Sequence, residues 1–152
     1  MHNVTMAQLY PVIEETLQRG GSVTLTPTGA SMMPMLRHQR DTVTLGAIDG
    51  PLKINDVVLY KRNNGEFVLH RIVGMEKNGD FIMCGDYQLV PEHHIKQQQM
   101  IGRLLSFTRK GRHVLCSCFS YRAYVCLLPV FRTLRKVFGR NMIRMVCKSI
   151  IR

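Results

Sequence analysis

From residue 22 to residue 107 the chain is a series of short β-type runs, each stopped by a turn signal, and this punctuation limits the fold more than any other feature of the sequence. Residues 23–26, 42–45, 57–60, 67–69 with 72–73, 81–83 and 101–107 are rich in β-branched and aromatic side chains. Asp49-Gly50-Pro51, Asn63-Asn64-Gly65 and Asn78-Gly79-Asp80 lie between them. Such turns supply the positive φ angles that tight hairpins need, so neighbouring runs are expected to pair antiparallel. Their number and spacing predict a small antiparallel sheet or barrel.

The flanks follow the other period. Thr5 and Gln8 stand at capping-box spacing ahead of Met6, Leu9, Tyr10, Ile13 and Leu17, which predicts a helix that Pro11 either kinks or opens, and that Gly20-Gly21 stops. After one more strand over 113–118, Tyr124, Leu127, Leu128, Phe131, Leu134 and Phe138 return to helical spacing, with Arg135 interrupting the stripe. Met142, Val146 and Ile150 continue it, interleaved with Arg140, Arg144 and Lys148. The expected organisation is a helix over 1–21, a β domain over 22–118 and basic amphipathic helices over 119–152. With 152 residues, 45% of them hydrophobic, the chain has enough material for one core without a metal or disulfide staple.

Charge divides the chain at the same place. Residues 1–102 carry nine Lys and Arg against ten Asp and Glu, whereas residues 103–152 carry twelve Lys and Arg and no acid, which accounts for the net charge of +11. A neutral β region followed by a basic segment points that segment at an anionic surface. Residues 1–9 show neither the basic nor the apolar part of a cleavable signal peptide, and the apolar stretch 123–131 is too short for a bilayer core of about 30 Å. A cytoplasmic location, or a peripheral one on the cytoplasmic membrane, is the expectation. Five cysteines without regular spacing do not form a disulfide framework.

The chemistry begins at Thr26-Pro-Thr-Gly-Ala-Ser-Met-Met-Pro-Met-Leu36, where Ser31 sits on a glycine-containing turn after a strand. Backbone N–H groups of such a turn, at Gly29 and Ala30, can form an oxyanion hole. This segment resembles the nucleophile box G-x-S-M-x-P-x-L of the signal peptidase I and SOS-repressor (LexA-like) serine peptidase superfamily, matching at Gly29, Ser31, Met32, Pro34 and Leu36. The family's following Gly-Asp turn is Arg40-Asp41 here. A second resemblance runs through Asn55-Asp-Val-Val-Leu-Tyr60 and Val68-Leu-His-Arg-Ile-Val73. Where bacterial signal peptidases and SOS repressors place a Lys, this chain has His70, as in the Ser–His branch of archaeal and endoplasmic-reticulum signal peptidases. Phe81-Ile-Met-Cys-Gly-Asp86 resembles that branch's F-x-x-K-G-D, with Cys84 in place of the Lys.

The resemblance implies a mostly β peptidase fold, with Ser31 as nucleophile and His70 as general base. A serine hydroxyl is a weak nucleophile without such a base, and an acid on the second imidazole nitrogen fixes the tautomer. Asp86 and Glu92 compete for that third place, and the Gly-Asp context favours Asp86. Met32 and Pro34 are the expected substrate-binding residues, since the methionine after the nucleophile helps to line the small-residue pockets in the family. Neither a metal nor another cofactor is expected, because Cys84, His93, His94, Cys116 and Cys118 lack the spacing of a closed zinc site. No nucleic-acid-binding signature accompanies the basic tail.

The substrate implied is an extended, leader-type segment of a precursor protein or peptide. Anionic lipid is the expected partner of residues 119–152, with packing of those helices on the domain or on another protein as the competing reading. A catalytically silent binding protein, holding lipid, nucleic acid or an acidic partner through the tail, is the functional alternative.

Overall fold

The computed structural model describes residues 5–138. Helix α1 (Met6–Gln18) opens on Thr5, whose N–H donates to Gln8 Oε1 at 2.9 Å. Pro11 lies inside the helix, not at its start. Gly20, at φ 76°, ends it: the Gly20 N–H reaches Leu17 O and the Gly21 N–H reaches Thr16 O, the paired bonds of a Schellman motif.

Eight strands then form one antiparallel sheet. They are β1 (Ser22–Leu25), β2 (Thr42–Gly46), β3 (Val57–Lys61), β4 (Phe67–Met75), β5 (Phe81–Cys84), β6 (Glu92–Ile95), β7 (Met100–Arg109) and β8 (Arg112–Leu115). A single 3₁₀ turn (Gln97–Gln99) leads into β7. The order is β1-β2-β7-β3-β4-β5-β6, with β8 pairing on β7. The ends of this order, β1 and β6, do not pair with each other, so the sheet is open and the barrel expectation is replaced by a bent sheet. Register shifts at Thr44/Leu45, Leu59/Tyr60, Ile72/Gly74 and Phe81/Met83 supply the bends. The runs at 67–69 and 72–73 are one nine-residue strand. Strand β6 escapes sequence reading because Glu92-His-His-Ile95 carries little apolar signal.

Cores lie on both faces of β3. Val57 and Leu59 pack with Met32, Met35, Leu36, Leu104 and Phe107, while Val58 and Tyr60 pack with Leu52, Ile72, Phe81 and Met83. A strand covered on both sides has no polar face, which is why residues 57–60 read as an uninterrupted apolar run. Helix α2 (Phe119–Phe138) lies on the first of these cores through Tyr121. The expected apolar stripe is docked in large part: Leu128 is buried, Tyr124 packs against this core, and Phe131 and Leu134 are half-buried. Leu127 is exposed, whereas Arg135 is buried with its guanidinium 4.0 Å over the Tyr87 ring, so the interrupting arginine is part of the packing. The predicted continuation at Met142, Val146 and Ile150 lies outside the described residues.

Candidate active site

Ser31 and His70 come from different parts of the fold and line one cleft of about 580 Å³. Ser31 stands on the loop between β1 and β2, held by Met33 N–H to Ala30 O and Leu36 N–H to Met32 O, and pinned below by buried Met32, Met35 and Leu36. Gly29 takes φ 109°, a conformation that only glycine adopts easily. The Gly85-Asp86-Tyr87 turn grips the loop from the other side: the Tyr87 N–H donates to Ser31 O at 2.7 Å. A Cβ on Gly85 would fall 2.6 Å from that oxygen and 2.9 Å from Ser31 Cβ. Gly85 is therefore required by close approach, not by its φ.

His70 pairs with Val58 on β3 and is 1% exposed. Its Nδ1 lies 3.1 Å from the Tyr60 hydroxyl and 3.3 Å from Glu92 Oε1. Tyr60 has one proton, and it goes to Glu92 Oε2 at 2.9 Å. The hydroxyl can then only accept from the imidazole, so Nδ1 carries the ring hydrogen and Nε2 carries the lone pair. That is the tautomer a general base needs. Arg62 completes the network with Nε to Glu92 Oε2 at 2.9 Å and Nη2 on Oε1. Burial pushes the Tyr60 hydroxyl pKa up, with the Glu92 hydrogen bond acting in the same direction, so Tyr60 stays a donor. Burial acts against the Glu92 carboxylate, but the hydrogen bonds from Arg62 and Tyr60 outweigh it and hold its pKa below the ordinary range. Burial also lowers the His70 pKa to about 4, against the pull of Glu92, which keeps the imidazole neutral at pH 7.

The two competing acids are separated. Asp86, favoured from the sequence, faces Arg71, receiving Nε and Nη2 at 2.8 Å each, and takes a third bond from the Tyr124 hydroxyl at 2.9 Å. Arg71 also donates to Asn55 O and to Tyr121 Oη. Glu92 is the carboxylate at His70. The physical reason is strand alternation: His70 and Arg71 are consecutive on β4 and point to opposite faces, so each meets a different acid.

Among the other expected residues, Gly29 and Met32 line the cleft, while Ala30 is exposed and Pro34 is half-buried outside the lining. The Gly29 N–H is occupied by His38 Nδ1 at 2.7 Å, which removes it from the oxyanion donors. No hydrogen bond joins Ser31 to His70 among the described residues. Sequence reading missed Tyr60, Arg62 and Arg71. A lone arginine in an otherwise apolar strand was a usable signal, since a buried charge requires a partner.

The edge of the sheet at the cleft is open. β3 pairs with β4 along residues 67–71, but β5 reaches β4 only from Arg71 onward. Residues 67–70 therefore have no neighbouring strand on their cleft side among the described residues, and Pro27, Thr28 and Gly29 form part of the opposite wall. Comparisons with known protein families, with curated proteins and with solved structures find no match. The residues themselves carry the functional reading.

Proposed function

We propose that the chain is a signal-peptidase-like serine endopeptidase, with Ser31 as nucleophile, His70 as general base and Glu92 as the acid that orients it, on a fold of the signal peptidase and SOS-repressor type. The observation that carries the reading is the His70 tautomer: Nδ1 is committed to Tyr60 and Glu92, which leaves Nε2 as the acceptor, and His70 and Ser31 line the same cleft. An extended peptide would add to the free edge of residues 67–70 by main-chain hydrogen bonds. Ser31 Oγ then attacks the scissile carbonyl carbon as its proton passes to His70 Nε2. The C–N bond breaks as that proton moves to the amine, and water hydrolyses the acyl ester.

The test is cleavage of a peptide library, with new termini read by mass spectrometry for the wild type, Ser31→Ala and His70→Ala. Termini lost in both variants support the reading. Termini that persist in Ser31→Ala overturn it. The absence of a Ser31–His70 hydrogen bond favours the second reading, a silent binding protein, and retention of cellular function in Ser31→Ala would favour it too.

An anionic membrane is the proposed partner of α2. No described helix is long and apolar enough to cross a bilayer. The outward side of α2 carries exposed Phe119, Leu127, Val130 and Val137 beside exposed Arg122 and Lys136, the composition of a helix lying in an interface. Because Tyr121 and Tyr124 tie α2 to Arg71 and Asp86, deleting the helix would damage the domain. Leu127→Gln with Val130→Gln, which leaves that face intact, should reduce flotation with anionic vesicles; unchanged flotation removes the membrane from the proposal.

A further inference from the structure

At the far end of β4 from the cleft, two consecutive histidines converge on one carboxylate. Phe81 pairs with Ile95 and Met83 with Glu92, so Ile82 of β5 faces both His93 and His94 of β6. This bulge, with His94 at φ 60°, cancels the alternation that would send neighbouring strand side chains to opposite faces. His93 Nδ1 lies 3.0 Å from Glu76 Oε1 and His94 Nδ1 lies 2.7 Å from Glu76 Oε2. Asp80, from the β4–β5 hairpin, is oriented by Asn78 Nδ2 at 2.9 Å. One ligand atom each from Glu76, Asp80 and His94 lies within 4.8 Å of the others.

We infer that Glu76, Asp80 and His94, with His93 beside them, form a binding site for a first-row divalent transition metal of the zinc type. Ligands held at about 2.0–2.2 Å by a tetrahedral ion stand about 3.5 Å apart, so the Glu76–His94 contact at 2.7 Å would open slightly while the wider separations, within 4.8 Å, close. Imidazole with carboxylate selects zinc, cobalt or nickel over calcium and magnesium, which prefer oxygen alone. A ligating imidazole nitrogen must present its lone pair to the metal, so His94 would bind through Nδ1 with its ring hydrogen on Nε2. The adjacent His-His pair carries no zinc spacing in the sequence because its acidic partners come from a hairpin more than ten residues away.

Titration of the full chain with Co²⁺, followed by visible absorption, tests the site. The expected result is one equivalent bound with ligand-field bands and no thiolate charge-transfer band, which separates this cluster from the five cysteines. His94→Gly suits the positive φ and so preserves the fold while deleting a ligand; it should weaken binding by more than about tenfold. Asn78→Ala, which removes the amide that orients the Asp80 carboxylate and also accepts from the Asp80 N–H at 3.1 Å, should weaken it by about tenfold. A thiolate band, saturable binding unchanged in folded His94→Gly, or no saturable binding by the wild type overturns the site.

Discussion

His70 and Arg71 are neighbours on one strand, each paired with a carboxylate, and the two pairs are built to opposite specifications. The Arg71–Asp86 pair is closed: its side chains are 1% and 0% exposed, Asn55, Tyr121 and Met35 take the remaining Arg71 donors, and Tyr124 and Arg132 stand at the carboxylate. The His70 side is half-open, with Glu92 24% and Arg62 30% exposed, and it leaves one imidazole nitrogen uncommitted. A fully satisfied buried pair can fix a shape but has no valence left for a substrate. The unsatisfied nitrogen is where chemistry can occur. The first pair thus serves the second, since Asp86 stands in the turn whose Gly85 and Tyr87 hold Ser31.

The largest effect should come from breaking the closed pair. Asp86→Ala leaves the Arg71 guanidinium buried without its counterion, and loss of one partner of such a pair costs about 3–5 kcal/mol. Thermal unfolding should fall by about 10 °C or more. A variant of near wild-type stability would mean that the clamp is not what holds this end of the sheet.

Next comes the open pair. Glu92→Gln removes the charge that holds the His70 tautomer while keeping the shape, and peptide cleavage should fall about 100-fold in kcat/KM, equivalent to about 2.7 kcal/mol of barrier. Its melting temperature should move far less than that of Asp86→Ala. If Asp86→Asn, folded and stable, lowers cleavage more than Glu92→Gln does, the assignment of roles is reversed. The link between the pairs is tested by Gly85→Ala. Its Cβ would collide with Ser31 O, so the Ser31 loop must shift, at about 1–3 kcal/mol of stability and with a fall in kcat. Unchanged kcat would separate the Gly-Asp turn from the site.

Most of the fold, and the two residues Ser31 and His70 of the site, were legible in the sequence. Periodicity and turn chemistry located most of the strands, because each run satisfies a local rule that tertiary packing did not override. Ser31 and His70 were legible as candidates from their boxes. What was not legible is which acid meets which base, because that depends on the parity of one strand: His70 and Arg71 differ by one residue and therefore by one face. Arg135 interrupts the apolar stripe yet packs in the docked face for a related reason, since its partner Tyr87 lies 48 positions earlier and only the folded helix brings the ring beneath it. Glu92 sits on a strand of polar residues that no hydrophobic pattern announces.

The smallest predicted effect is also the most discriminating. Tyr60→Phe deletes the hydroxyl between His70 and Glu92, a loss of about 1 kcal/mol, or several-fold in kcat/KM, since Glu92 can still accept from Nδ1. The pH profile should barely move. Burial is the main cause of the His70 shift to about 4, and phenylalanine keeps that burial, so the acid limb of kcat/KM should stay near pH 4 in both proteins, not near 6.5. Stability follows the same proton. Between about pH 6.5 and about pH 4 the unfolded chain binds a proton at His70 that the folded chain does not, so the folded state loses stability as pH falls through that window and is insensitive to this group above it. His70→Asn should remove that slope. An acid limb at the ordinary histidine value would mean that water reaches the imidazole freely, and the half-open side of the strand would then be no more than a surface ion pair.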